Sequence, residues 1–197
     1  ARQRSTAHGI AGVYFAGVCV DCTIDRAHVL NTQFAVTNAL TAVAEGLRVL
    51  NPTFIDVDYG VYRARVSPGS VVLTVVKGGH INCRKRGVYL DWSPQSVIEG
   101  VDIYKQNSAE EYVGIHVLHS DDVRIYGNDI VRLGNPGVEN GIVLGYSEHF
   151  DVVGNVLNGM NTGIWLQFGA NNGTVGLNRG SWLDQGAGNT VVNNTPY

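Results

Sequence analysis

Short alternations of apolar and polar residues, each led by a glycine, recur along the middle of the chain. Val61, Val88, Ile115, Ile142 and Ile164 follow Gly60, Gly87, Gly114, Gly141 and Gly163, and two places later stand Arg63, Leu90, Val117, Leu144 and Leu166. Alternation with a period of two makes these the inward positions of a strand, apolar everywhere except at Arg63. A second strand follows at Val123 to Tyr126, matched at Phe150 to Val153 and more loosely at Ser96 to Glu99, with Val123, Ile125, Phe150 and Val152 inward. A Gly-Asn pair then turns the chain, asparagine tolerating left-handed backbone angles at little cost. A brief third strand passes through Ile103, Ile130 and Leu157.

These elements recur with a fixed step. Gly114 and Gly141, Ser120 and Ser147, Asp121 and Glu148, Gly127 and Gly154, and Asn128 and Asn155 are all 27 residues apart. At Gly163 and Gly176 the step shortens to 22 for both glycine landmarks together. Three short strands per repeat, each apolar on one side, bury nothing unless the next repeat stacks on top. The chain is therefore expected to be all-β, a parallel β-solenoid with three short strands per coil of about 22 to 27 residues.

The first third is less regular. Gly12-Val-Tyr-Phe and Phe34-Ala-Val read as degenerate first strands, with Leu47 to Leu50 and Thr53 to Val57 as later ones. Residues 39 to 50 contain helix formers, but the internal Gly46 and the repeat context favour extended structure. Residues 189 to 197 read as a last strand and a polar tail. We expect one domain over 1–197, with regular coils at 60–180, irregular ones at 1–59 and a terminal strand and tail at 181–197.

Composition agrees with strands and tight turns: 25 glycines, 9 tyrosines and 44% hydrophobic residues supply turns and core without a cofactor. A net charge of -3 with 14 Lys and Arg argues against nucleic acid or an anionic membrane as the main partner. No apolar run approaches the roughly 18 residues of a membrane span. The chain opens at Ala1 without methionine or a signal segment, as a mature product or an excised fragment would. Cys19, Cys22 and Cys83 cannot all pair; the first two have CxxC spacing, but the surrounding residues read as a strand whose positions three apart face opposite ways. All three are expected to be free thiols, and no metal site is expected, since His119 and His149 lack the spacing of a zinc site.

The sequence Gly-Ile-x-Leu followed by Val-x-Ile-x-Gly-Asn-x-Ile resembles the right-handed, single-stranded parallel β-helix of the pectin-lyase-like superfamily. That superfamily includes polysaccharide lyases, polygalacturonases, alginate epimerases and phage tailspike proteins. The resemblance covers residues 60 to 180 most strongly. The paired aspartate of polygalacturonases has a counterpart in Asp121-Asp122, but their histidine and Arg-Ile-Lys motifs do not, nor do the calcium-binding acids and base of pectate lyases. Phage tailspikes share only the coil pattern and accommodate this sequence best. The resemblance implies a homotrimeric virion tail appendage, or a secreted protein, that binds a bacterial surface polysaccharide such as O-antigen or capsule, with its cleavage by a glycoside hydrolase or lyase activity left open. A structural shaft or adhesin and a secreted lyase or epimerase are the alternatives.

Stacking turns sequence period into spatial columns. The outward position two after each glycine gives Tyr62, Tyr89, His116, Val143 and Trp165, with Tyr14 extending the column at the irregular end. Flat rings with polar edges suit sugars, though contact with a sister chain or plain β-propensity would equally place them there. The next corner carries Asp91, His119, Ser120, Asp121, Asp122, Glu148 and His149. Asp121 and Glu148 are expected about 5 Å apart on adjacent coils, with Asp91 nearer 10 Å from Glu148. Those separations suit glycosidase carboxyl pairs, so Asp91, Asp121 and Glu148 are the candidate catalytic acids, and Tyr62, Tyr89, His116, His119 and Trp165 the candidate binding residues. Arg124 and Asp151 are expected to pair across coils, and Asn128 and Asn155 to stack as a turn ladder.

Overall fold

The computed structural model describes residues 9–40, 42, 44–64, 73–105, 111–132 and 138–195. Among them there is no helix, and every strand pairing is parallel. The chain winds as a right-handed β-helix with three walls. Eight strands follow one another along the first wall, among them Thr53–Arg63, His80–Asp91, Tyr112–Leu118, Glu139–Gly145 and Thr162–Leu166. Eight more build the second, including Val97–Glu99, Arg124–Tyr126 and Asp151–Val153. The third wall consists of Asp102–Lys105, Asp129–Arg132 and Val156–Asn158. In the lower coils it runs without a break into the first: His80–Asp91 pairs by its first half with Asp102–Lys105 and by its second with Tyr112–Leu118.

The expected inward residues form the core. Val61, Val88, Ile115, Ile142 and Ile164 are in register and buried, as are Leu90, Val117, Leu144 and Leu166 and, from the second wall, Val123, Ile125, Phe150 and Val152. Arg63 also lies buried on its inward position. Of the described residues between 39 and 50, Ala44–Glu45 and Leu47–Leu50 are strands, and Ala42 N–H donates to Ala39 O in a turn before them. The last strand is Thr190–Val192.

The glycine leading each first-wall strand stands where successive coils come closest. A Cβ on Gly114 would lie 2.5 Å from Ile130 Cγ2 and 2.7 Å from the carbonyl oxygen of Gly141. Gly114→Ala is therefore expected to cost ~1–3 kcal/mol by overpacking, read as a lower urea midpoint. A loss below about 0.5 kcal/mol, the range of ordinary surface substitutions, would mean that the coil spacing yields freely.

The turn after the second wall corrects one expectation. The left-handed residue of each Gly-Asn pair is the glycine, Gly127 at φ 58° and Gly154 at φ 69°, and not the asparagine. The asparagines build an interior ladder instead: Asn155 Oδ1 accepts from Asn128 N–H and Nδ2 at 2.9 Å, and Asn178 Oδ1 stands in the same relation to Asn155.

Two further expectations are corrected. Cys19 and Cys22 form a disulfide, because Asp21 adopts a left-handed conformation at φ 50° and breaks the strand into Cys19–Val20 and Thr23–Asp25, which brings both side chains to one side. Cys83 is the free, buried thiol. Arg124 and Asp151 are register partners but make no ion pair; the Asp151 carboxylate accepts the Tyr126 hydroxyl at 3.1 Å.

Candidate functional site

The outward column of the first wall forms as a register line through Thr37, Tyr62, Tyr89, His116, Val143, Trp165 and Leu183, with Tyr14 beside Thr37. Tyr62 and Tyr89 stack with centroids 4.7 Å apart and planes within 14°, and His116 meets Tyr89 edge-on at 5.3 Å. Phe34 and Tyr59 stack at 5.0 Å beside Tyr62 and widen the aromatic face. Val143, buried, separates this group from Trp165. Rings stacked at coil spacing spend their faces on each other. Their edges are what remain for a ligand.

Arg86 enters this face, its guanidinium carbon 5.8 Å from the centre of the Tyr89 ring. Its Nε donates to His116 Nδ1 at 3.1 Å, which places the imidazole proton on Nε2. Burial, and then the Arg86 charge, lower the His116 pKa to about 4, so the ring is neutral at physiological pH. Burial, followed by the Asp91 charge, pushes the Tyr89 phenol up to about 12.

At the corner after this wall a second ladder appears that the residue types alone conceal. Trp92, His119 and Tyr146 stand 27 residues apart and stack at 4.6 and 5.0 Å with planes within 10°. All three are left-handed, at φ 56°, 47° and 51°, a conformation that costs side-chain-bearing residues energy and clusters at functional sites. Each backbone N–H is held by a carbonyl of the next coil, from Leu118, Gly145 and Phe168. The shared step of 27 was the signal available for Trp92 and Tyr146.

The candidate acids are distributed among separate partners. Asp91 Oδ1 lies 2.8 Å from His119 Nδ1, fixing the imidazole between its two flanking rings. Asp121, exposed, accepts the backbone N–H of Glu148 at 2.8 Å, and Glu148 is exposed beside it. Ser120 and Ser147 point inward and join a buried hydroxyl ladder with Ser93.

The corner ladder ends at Gly169, which leaves Tyr146 with no ring above it. There Tyr146, Trp165, Gln167, Phe168 and Gln185 line a shallow cavity of about 230 Å³. Trp165 Nε1 donates to Gln185 Oε1 at 2.9 Å, while Phe168 is 73% and Tyr146 60% exposed. A larger hollow of about 360 Å³, between Leu73, Gln95, Val97, Asp122 and Arg124, carries one guanidinium and one carboxylate but no ring. Among the described residues no three His, Cys, Asp or Glu side chains converge as metal ligands.

A family model described as "NosD: Periplasmic copper-binding protein (NosD)" matches residues 65–196. The chain belongs to the NosD family. That family is a right-handed, pectin-lyase-like parallel β-helix family, in agreement with the coil architecture. Neither a curated protein nor a solved structure matches the chain. The NosD match contains the corner ladder, the ring-lined cavity and every candidate site residue except Tyr62; it excludes Cys19 and Cys22.

Proposed function

We propose that this NosD-family β-helix binds a polysaccharide of the bacterial envelope or surface, with the cavity between Tyr146, Trp165 and Phe168 as its principal subsite. The observation that carries this reading is that cavity. Three aromatic rings converge on it with two primary amides and no charged group. A sugar ring presents apolar C–H faces and a rim of hydroxyls; rings match the first, and amides, being donors and acceptors at once, match the second. The edges of the corner ladder continue the polar surface along the wall, so a chain of sugars has further contacts beyond the cavity. The family description is periplasmic, which supports a ligand outside the cytoplasm.

The same description names copper, which prefers thiolate, thioether and imidazole donors. Among the described residues of the matched segment no three His, Cys, Asp or Glu side chains converge as metal ligands. Cys83 is fully buried, with burial pushing its thiol pKa far up, and Nδ1 of His116 and of His119 is already engaged by Arg86 and by Asp91. Within residues 65–196 the described side chains do not fit a copper centre of three or more such ligands, and the polysaccharide reading takes nothing from the metal.

Phe168→Ala tests the subsite cleanly, because so exposed a ring contributes little to folding. We expect it to weaken polysaccharide binding at least about tenfold, ~1.4 kcal/mol, with an unchanged melting temperature. Binding is read by calorimetry or Trp fluorescence against peptidoglycan, O-antigen and capsule. No binding to any of them, or equal affinity in the variant, overturns the reading. New reducing ends or unsaturated-uronate absorbance in the same mixtures would add cleavage to binding.

A further inference from the structure

The ring-lined cavity opens where one outward column changes its residues. Asp91, Leu118 and Gly145 are register partners on successive coils. Gln167 and Gln185 take the same place on the next two, their backbone N–H groups donating to Leu144 O and Leu166 O at 2.8 Å. Gly145 makes room for the first of them, since a Cβ there would lie 2.9 Å from Gln167 Oε1. The second is oriented by the indole. Trp165 Nε1 can only donate, so the Gln185 atom 2.9 Å from it is the oxygen, and Gln185 Nε2 keeps two donors for a ligand. Among the described residues the Gln167 carboxamide has no side-chain hydrogen bond, so it offers a donor and an acceptor beside them.

The charge around the cavity is of one sign. Residues 133–197 contain one arginine, Arg179, and no lysine, against Glu139, Glu148, Asp151 and Asp184. Arg179 lies on the third wall, bridging to Val156 and Thr195. Asp184 is exposed next to Gln185, and Glu148 is exposed two residues from Tyr146. A uronate, sulfate or phosphate entering here loses water, meets no cation in the cavity and approaches two carboxylates.

We propose that this cavity selects N-acetylated, uncharged sugars against uronic acids, with Gln167 and Gln185 recognising the acetamido group; the selectivity rests on the polysaccharide reading above. An acetamide needs one donor, one acceptor and an apolar wall. Its carbonyl accepts from Gln185 Nε2, its N–H donates to Gln167 Oε1, and its methyl lies against the Trp165 or Phe168 ring. A hydroxyl in its place brings no methyl and cannot span both carboxamides. A carboxylate offers Gln167 Oε1 no donor and adds a charge of the repelled sign.

The test is calorimetric titration of the full chain with three tetrasaccharides that share one linkage, of N-acetylglucosamine, glucose and glucuronate. The N-acetylglucosamine tetramer is expected to bind at least about tenfold more tightly than the glucose tetramer, the scale of one or two neutral hydrogen bonds, and the glucuronate tetramer not measurably. Gln167→Leu and Gln185→Leu should each bring the preference for N-acetylglucosamine below about threefold with the glucose affinity unchanged, whereas Phe168→Ala weakens both sugars alike. Equal binding of N-acetylglucosamine and glucose, glucuronate binding as tight as either, or a preference untouched in both glutamine variants overturns the selectivity. So does failure of every tetramer with a protein that still binds peptidoglycan, O-antigen or capsule, and in all these cases the polysaccharide reading stands. Absence of binding to the tetramers and the polymers together removes both. The wild-type comparison needs no variant, so a folding defect cannot obscure the answer.

Discussion

Glu139→Ala is expected to lower the stability of this protein by ~3–5 kcal/mol, the usual cost of leaving one partner of a buried ion pair alone. Glu139 and Lys105 are fully buried, with Nζ 2.5 Å from Oε1. Arg132 donates to the other carboxylate oxygen at 3.0 Å, and the backbone N–H of Glu139 donates to Asn161 Oδ1 at 3.1 Å. Burial opposes ionisation of Glu139, but the bonds from Lys105 and Arg132 outweigh it and hold the carboxyl below its usual range. Without the carboxylate, Lys105 must stay charged in the interior or give up its proton, and both are costly. The double variant Lys105→Met with Glu139→Leu should recover most of the loss, because an apolar pair of similar volume incurs no desolvation penalty.

The pH dependence has a definite sign. A carboxyl whose folded pKa lies below the unfolded value of about 4.3 stabilises the fold at higher pH, and this contribution is lost as pH falls through the folded pKa. The stability gap between wild type and Glu139→Gln should therefore be widest near neutrality and close in acid. Urea titrations across that range check both points. A single-variant loss below about 1 kcal/mol, the scale of an exposed ion pair, would mean that water reaches the site.

Asn155→Ala is expected to cost ~3 kcal/mol or more, since each buried polar group left unpaired costs about 1–3 kcal/mol. Its carboxamide oxygen accepts from Asn128 N–H and Nδ2, and its Nδ2 donates to Ile125 O and Asn178 Oδ1. Removing it orphans groups on both neighbouring coils. Asn194 occupies the last position of the ladder, accepting from Asn178 and donating to Val175 O, and is only partly buried. Water can replace its bonds, so Asn194→Ala should cost markedly less. Chemical denaturation of the two variants gives the comparison; equal losses would show that the ladder does not act through burial.

The asparagine ladder, the inward strand residues and the three walls were legible in the sequence because each is a per-coil requirement, and a requirement imposed on every coil appears as a step of 27. The features that were missed occur once. Lys105 and Glu139 are 34 residues apart and meet from different walls across a corner, so no repeat relates them. The disulfide depends on a left-handed Asp21 that nothing in the alternation of its neighbours announces. Of the cavity residues only Trp165 falls on the expected column; Phe168, Gln167 and Gln185 gather where the coils have shortened and the step no longer holds. The corner rings were readable in principle, but Trp92, His119 and Tyr146 share a position rather than a residue type. Among the candidate acids, only the stacking of Asp121 and Glu148 could be foreseen; that Asp91 turns to His119 depends on side-chain directions at a corner.

The ring columns also give the surface a graduated scale. Tyr62 and Tyr89 repeat at 4.7 Å, and the corner rings at 4.6 and 5.0 Å, set by backbone hydrogen bonds along the axis and not by any ligand. A polymer lying on the wall meets those marks as one rule of a vernier meets the other. Where its own repeat differs from the coil spacing, the two drift out of phase within a few coils. On the proposed polysaccharide reading, recognition would then belong to a short segment that starts in register at the cavity, with the remainder of the polymer free to leave the surface.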